Sequence, residues 1–341
     1  MSASGALPLL EVRDLKVHFP IGAGLIGRPK AWVRAVDGIS FQVARGRTFG
    51  IVGESGSGKS TTALAVMRLV RHTAGTMTLD GQDIGAADGE TLRRARRRFQ
   101  MVFQDPYASL NPRKRAGDTV REALDLMESG EPSRRTERVA ELFAQVGLRP
   151  EQQMLFPHQF SGGQRQRIVL ARALAANPDL VVCDEPVSAL DVAIQAQILN
   201  LMRRLQQALG LTYLFISHDL GVIRHMCDDV AVMYLGVVVE QADRDGLFSR
   251  PLHPYTLALW SAAPSFDPNA RTRGRRMRLH GDPPSPIDIP PGCRFAGRCP
   301  FAEDRCRSEA PLLREVLPGH RVACHRVSAD GVPTYPAAAL A

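Results

Sequence analysis

Residues 49–60 read Phe49-Gly50-Ile51-Val52-Gly53-Glu54-Ser55-Gly56-Ser57-Gly58-Lys59-Ser60. Residues 49–52 make a short apolar strand, and Gly53 to Ser60 fit the spacing G-x-x-x-x-G-K-[ST]. Residues 61–70 then read as a helix. Strand, glycine loop and helix in that order form a phosphate cradle. The glycines let backbone N–H groups curl around oxygens that a Cβ would keep away. The helix N-terminus adds partial positive charge. The expected phosphate contacts are therefore Gly53, Glu54, Ser55, Gly56, Ser57, Gly58, Lys59, Ser60 and Thr61. Lys59 reaches the β- and γ-phosphates, and the Ser60 hydroxyl is a ligand for Mg²⁺.

The second half of such a site is an acid at the end of an apolar strand. Leu180-Val181-Val182-Cys183-Asp184-Glu185 supplies two. Asp184 is placed to hold Mg²⁺, directly or through water, and Glu185 to polarise the attacking water as general base. An apolar strand ending in two acids is a weak signal alone; beside the phosphate loop it becomes specific.

Outward from this centre, residues 11–19 and 33–43 read as strands separated by a Gly/Pro loop at 21–30. Residues 133–147 carry Val139, Leu142, Phe143 and Val146 on one helical face, ending at Gly147. Further helices are expected at 168–176, stopped by Asn177-Pro178, at 193–209, ended by Gly210, and at 221–226. Residues 212–216 form another buried strand, and 230–239 two short strands or a hairpin. Strands alternating with helices predict an α/β core with a largely parallel sheet. Residues 105–167 mostly lack strand signals and read as a helical insertion. The character changes near residue 245: five arginines fall in 271–278, five prolines in 283–291, and four of the six cysteines between 293 and 324. A small loop-rich C-terminal region is expected over 246–341.

The 341 residues are enough to bury a substantial core without disulfides. Net charge is +8, carried almost wholly by arginine, since Lys16, Lys30, Lys59 and Lys114 are the only lysines. Spread over this length, that charge is weak support for a nucleic acid or anionic lipid partner and reads as solvated faces. The longest apolar run, 230–239, falls short of the roughly 20 residues of a spanning helix. The N-terminus has no secretory pattern, so a cytosolic location is expected. The arginine run at 271–278 reads as a solvated face, with contact to lipid or a membrane partner as the alternative.

Further motifs make the resemblance specific. Phe160-Ser161-Gly162-Gly163-Gln164-Arg165-Gln166-Arg167 resembles the signature of ATP-binding cassette (ABC) transporter ATPases. Gln104 in Val102-Phe103-Gln104-Asp105 resembles that family's Q-loop glutamine. Ser188-Ala189-Leu190-Asp191 resembles its D-loop, and His218 in Ile216-Ser217-His218-Asp219 its switch histidine. Phe19 falls where the family stacks an aromatic on adenine, with a core position as the alternative. Phe160 replaces the usual leading leucine, a change at a packing position. The resemblance spans roughly residues 8–330. It implies a P-loop ABC-type nucleotide-binding domain over 1–245, with its helical insertion at about 105–167. It also implies that Glu185, His218 and Gln104 are catalytic, with Gln104 joining Ser60 and Asp184 around Mg²⁺ and coupling the site to the insertion. Ser161, Gly162, Gly163, Gln164 and Asp191 would contact nucleotide held by a second subunit, so that one chain carries two half-sites and ATP closes a head-to-tail dimer.

The segments 104–113 and 184–192 are similar to the dipeptide/oligopeptide importer branch, and so are His253-Pro254-Tyr255-Thr256 and Pro284-Ser285-Pro286, which lie outside the chemical core. The wording at 186–188 and 110–112 resembles its second, F-type, ATPase subunit. The resemblance implies peptide import with a D-type ATPase partner, two membrane permeases and an extracytoplasmic peptide-binding protein. The chain would then lie peripherally on the cytoplasmic face of the inner membrane, with no nucleic acid partner. Nickel, glutathione and antimicrobial-peptide transport stay open as cargo. A soluble ABC ATPase acting on ribosomes or DNA is the remoter alternative, because such proteins usually carry two cassettes.

Cys293, Cys299, Cys306 and Cys324 are spaced C-x5-C-x6-C-x17-C. A cytosolic disulfide set is disfavoured, and the paired C-x₂₋₄-C of most zinc sites is missing. Four thiolates suffice for a [4Fe–4S] cluster, which the resembling branch binds in some members; zinc and free thiols remain the alternatives. Cys183 and Cys227 read as core.

Overall fold

The computed structural model describes residues 7–23, 29–262, 277, 279 and 281–335. Strands β1 (Leu10–Ala23) and β2 (Pro29–Val43) open the chain. They run further than the 11–19 and 33–43 expected and take up both ends of the proposed 21–30 loop, because Ile21 pairs with Ala31 and Ala23 with Pro29. Strand β3 (Thr48–Val52) follows, then the glycine loop and helix α1 (Lys59–Val66). This helix stops short of Val70: Arg68 turns left-handed at φ 54°, and the Leu69 and Val70 N–H groups both bond back to the Leu64 carbonyl.

Next come β4 (Ala74–Leu79), β5 (Gln82–Asp83), α2 (Gly89–Arg98) and β6 (Phe99–Val102). The insertion is helical as expected, with α3 (Pro106–Ser109), α4 (Ala116–Leu126), α5 (Arg135–Gln145) and α6 (Gly162–Leu174). The core resumes with β7 (Leu180–Asp184), α7 (Val192–Leu209), β8 (Thr212–Ser217), α8 (Leu220–Met226) and the hairpin β9 (Asp229–Tyr234) and β10 (Val237–Asp243). Helices α9 (Arg244–Ser249), α10 (Pro254–Ala262) and α11 (Asp304–Ser308) precede β11 (Arg314–Leu317) and β12 (His320–Val322).

Two sheets result. One is antiparallel, in the order β2-β1-β4-β5; the other has eight strands in the order β11-β12-β10-β9-β3-β8-β7-β6. Strands β9, β3, β8, β7 and β6 are parallel, which is the α/β core expected from the alternation of strands and helices. The separate antiparallel sheet was only half legible in the sequence. Alternate side chains of the central strands feed opposite faces: Phe49 and Ile51 pack with β1, β2 and α1, while Val52, Tyr213 and Phe215 pack with α4 to α8. Burial on both faces explains why these strands read as continuous apolar runs.

The stretch after 245 is more tightly integrated than a loop-rich appendage. Strand β12 pairs with β10 through Glu240–Val322 and Gln241–Arg321, so the main sheet continues into it. The Glu240 carboxylate, fully buried, accepts from the Leu252 and His253 N–H groups at 2.6 and 2.9 Å and pairs with His320 Nε2 at 2.8 Å. Burial pushes His253 down to about 3, so its ring is neutral, and its Nδ1 accepts from the Tyr255 N–H. The arginine run at 271–278 lies outside the described residues apart from Met277. Among the described residues no helix is long and apolar enough to cross a membrane.

Candidate active site

Strand β3 delivers Gly53 at its carboxyl end, where the loop must thread between two backbones. A Cβ on Gly53 would lie 2.2 Å from the Met233 carbonyl oxygen, and one on Gly58 2.2 Å from that of Ala35. Gly58 also sits at φ 105°, closed to other residues. The two glycines are thus fixed by close approach and conformation. The Lys59 ammonium donates to the Gly53 and Glu54 carbonyls, both at 2.8 Å. Burial lowers its pKa, against the pull of Glu185, Asp184 and Glu54.

Strand β7 lies two places from β3 and ends at Asp184. The Ser60 hydroxyl donates to Asp184 Oδ1 at 3.0 Å. Burial raises the Asp184 pKa, and the Glu185 charge adds to that. A hydroxyl and a carboxylate joined at the mouth of a phosphate loop are the hard oxygen donors that Mg²⁺ takes, so this pair fits the ion expected there.

Glu185 leaves the strand at φ 49°, a strained backbone for a non-glycine residue. Its N–H is held by the Ile216 carbonyl at 2.9 Å. Its two carboxylate oxygens are taken separately: Gln104 Nε2 donates to Oε2 at 2.9 Å, and His218 Nδ1 pairs with Oε1 at 2.9 Å. Three residues far apart in sequence therefore meet at one carboxylate. They line a cleft of about 770 Å³ together with Phe19, Ser55, Gly56, Gly58, Lys59, Ser60 and Thr61. Phe19, on β1 opposite Val33, is 38% exposed at the rim, so it is not a core residue.

The other nucleotide candidates lie apart from this cleft. Ser161 caps α6: its hydroxyl accepts from the Gln164 N–H at 3.3 Å, and Gln164 Oε1 accepts from the Ser161 N–H at 3.0 Å. Ser161, Gly163 and Gln164 line a separate cleft of about 400 Å³, which shares no residue with the first. Gly162 opens the same helix, and a Cβ on Gly163 would strike Ile194 at 2.5 Å. Asp191 caps α7 by accepting from the Ile194 N–H at 3.0 Å and lines neither cleft. Phe160 is buried, as its packing role required.

One expectation is corrected. The segments at 253–256 and 284–286, read as outside the chemical core, touch it. The Tyr255 hydroxyl accepts from the Glu54 N–H at 2.8 Å. Pro286 lines the phosphate cleft, and its carbonyl accepts from the Arg34 N–H at 3.0 Å. Arg298 forks onto the Glu54 carboxylate at 2.7 and 3.2 Å. No local motif marks these contacts, because they depend on the C-terminal region folding back over β3. Tyr255 and Pro286 were visible only as members of branch-specific segments, and Arg298 carried no signal.

The cysteine expectation is met only in part. Cys183 and Cys227 are buried core residues. Cys293, Cys299, Cys306 and Cys324 are free thiols gathered in one region, and the Cys293 N–H donates to the Cys306 carbonyl at 2.7 Å. Burial raises Cys299 to about 11 and Cys324 to about 12, and the neighbouring thiols add to both. Among the described residues, no group of three or more His, Cys, Asp or Glu is gathered closely enough to hold a metal ion.

A parallel sheet with a phosphate loop at the end of a central strand, and an acidic pair at the end of the strand two places over, defines a P-loop ATPase cassette. Comparison with known proteins narrows the class. The family described as ABC transporter matches residues 36–188, and the oligopeptide/dipeptide transporter C-terminal region matches 239–306. The oligopeptide transport ATP-binding protein AppF of Bacillus subtilis is 49% identical over 329 residues, covering 96% of this chain and all of that one. The di/tripeptide transport ATP-binding protein DppF of Pseudomonas aeruginosa is 49% identical, covering 93% of this chain and 97% of its own length. Among solved structures, the ATP-binding cassette MJ0796, a dimer in a post-hydrolysis state bound to ADP and Pi, matches with TM-score 0.61 and 27% identity, covering 69% of this chain and 98% of that one. The chain belongs to the ABC transporter ATPases that carry the oligopeptide/dipeptide transporter C-terminal region.

Proposed function

We infer that this chain hydrolyses ATP to power the import of di- and oligopeptides through a membrane ABC transporter. The observation that carries the ATPase reading is the convergence of Gln104, Glu185 and His218 on the cleft that holds Lys59 and Ser60. The peptide reading rests on the full-length similarity to peptide-import subunits.

In this reading residues 1–245 form the nucleotide-binding unit and 246–341 the C-terminal region. The β- and γ-phosphates lie along the backbone N–H groups of 53–60, and the Lys59 ammonium moves from its own loop carbonyls onto phosphate oxygens. Adenine stacks at Phe19. Ser60, Asp184 and Gln104 would hold Mg²⁺, which would supply charge neutralisation at the phosphates. Glu185 takes a proton from water; that oxygen attacks the γ-phosphorus, and the β–γ bridging oxygen leaves with ADP. Gln104 and His218 keep the Glu185 carboxylate aimed at the water. Gln104 also stands one residue before Asp105, which caps α3. Arg165 of α6 packs 3.8 Å over the Tyr107 ring of α3, so a shift at Gln104 reaches the insertion.

Two clefts without a shared lining residue support a head-to-tail dimer, in which Ser161, Gly162, Gly163, Gln164 and Asp191 face the phosphates held by the other subunit. The partners in this reading are a D-type ATPase subunit, two permeases and an extracytoplasmic peptide-binding protein. The chain is then peripheral on the cytoplasmic face of the inner membrane. The test is uptake of a labelled dipeptide and a labelled pentapeptide by cells whose only copy is wild type or Glu185→Gln. Loss of either uptake in the mutant is expected. Unchanged uptake of both, with the mutant stably expressed and no second importer present, overturns the peptide assignment and turns the search to nickel and glutathione.

For the four C-terminal thiols we propose a [4Fe–4S] cluster. The support is chemical: four unpaired cysteines lie in one region and feel one another's charge, although among the described residues they are not drawn close enough to form a metal site as they stand. Cys299→Ser is expected to remove the brown absorbance of anaerobically purified protein while nucleotide binding persists. Colourless, iron-free wild-type protein from the same preparation counts against the cluster.

A further inference from the structure

We propose that Arg298, in the cysteine-bearing C-terminal region, is a positioning residue for the ATP site: it holds the Glu54 carboxylate away from Lys59 and the phosphates. The proposal rests on the reading of 53–60 as the ATP cradle.

A carboxylate on a loop built to surround a polyanion is an electrostatic liability. Left free, Glu54 repels the phosphates and competes for Lys59, the one cation the loop carries. Its charge already reaches the Lys59 ammonium. Arg298 removes that liability by geometry. Its guanidinium meets both carboxylate oxygens, at 2.7 and 3.2 Å, in the planar fork that arginine offers and lysine does not. The Arg298 side chain is only 9% exposed and that of Glu54 30%, so water screens the pair weakly. The guanidinium is itself braced 5.9 Å over the Tyr234 ring. The other end of Glu54 is fixed too, its N–H by the Tyr255 hydroxyl at 2.8 Å and its carbonyl by Lys59. The phosphate loop is thus tied from outside its own motif, by residues more than two hundred positions away.

Removing the arginine leaves a half-buried carboxylate without its partner, and the nearest cation is the one needed for phosphate. Arg298→Ala is therefore expected to weaken binding of a fluorescent ATP analogue to the purified full-length chain about tenfold, equivalent to ~1.4 kcal/mol. Apparent KM for ATP should rise while kcat changes less than twofold. Adding Glu54→Gln should restore most of the affinity, because the offending charge is then gone. A residue that merely stabilises the fold would not be rescued in this way. Arg298→Lys should fall between, keeping the charge and losing the fork. If Arg298→Ala fails to fold, Arg298→Gln keeps most of the packing and carries the same expectations. Wild-type affinity in the folded Arg298 variant, or a double variant as weak as the single one, overturns the proposal. Lys59→Ala in the same assay separates the two readings. Retained binding there overturns the ATP cradle itself. Lost binding there with unchanged Arg298 variants overturns the role of Arg298 alone.

Discussion

Glu185→Gln stops ATP turnover and leaves ATP bound. Three observations lead to that outcome. The Glu185 carboxylate is held at both oxygens, by Gln104 and by His218, each at 2.9 Å. Its backbone is held at φ 49°, so the side chain leaves the strand in a direction an extended residue would not give. It also makes no hydrogen bond to Lys59 or Ser60: Lys59 bonds to Gly53 and Glu54, and Ser60 to Asp184. Glutamine keeps the size and one acceptor oxygen and loses the basic one. Turnover should fall by about 10²–10⁴-fold, the usual contribution of a positioned general base. Affinity for ATP should stay near wild type or rise, because hydrolysis no longer discharges the site. Phosphate release measured beside equilibrium ATP binding checks both halves. A variant that turns over normally removes Glu185 as the base.

Lys59→Ala has the opposite signature, losing binding rather than the chemical step. The ammonium is buried, and its position against two carbonyls of its own loop closes that loop around the space for phosphate. Alanine removes both the charge and the brace. Charge-assisted contacts to phosphate are among the stronger hydrogen bonds a site makes, and loss of the loop's shape adds to their loss. ATP binding should weaken by at least about 100-fold, with turnover lost in proportion, as titration with a fluorescent analogue would read. The contrast is diagnostic: one variant binds without hydrolysing, the other does neither.

The centre of this site was legible because its chemistry is local. Gly53 to Ser60 lie on consecutive positions, and Asp184 and Glu185 end a strand whose apolar run announces itself. Gln104 and His218 are single polar residues at the ends of strands; the family resemblance marked them, and the parallel sheet brings the ends of β6, β7 and β8 together beside β3. The antiparallel sheet was half legible: β1 and β2 read as strands, whereas β4 was missed although it alternates over Thr76-Met77-Thr78-Leu79, and β5 has only two residues. The contacts of Tyr255, Pro286 and Arg298 were illegible for a deeper reason. They arise only when β12 joins β10 and the buried Glu240 gathers Leu252, His253 and His320, an arrangement in which Tyr255, Pro286 and Arg298 meet the phosphate loop and its cleft. A proline-rich stretch with no periodicity says nothing of where it will lie. Asp191 shows the converse: its motif was clear, and its side chain is engaged as the cap of α7.

The decisive measurement is phosphate release and labelled-peptide accumulation recorded together, in vesicles holding the assembled transporter with ATP supplied on the side of this chain. With wild-type chain both should rise together and require ATP, and with Lys59→Ala peptide accumulation should vanish and phosphate release fall sharply, any remainder coming from the partner subunit's own phosphate loop. Peptide accumulating without ATP, or peptide accumulation at the wild-type rate in Lys59→Ala, would show that this cleft does not drive transport.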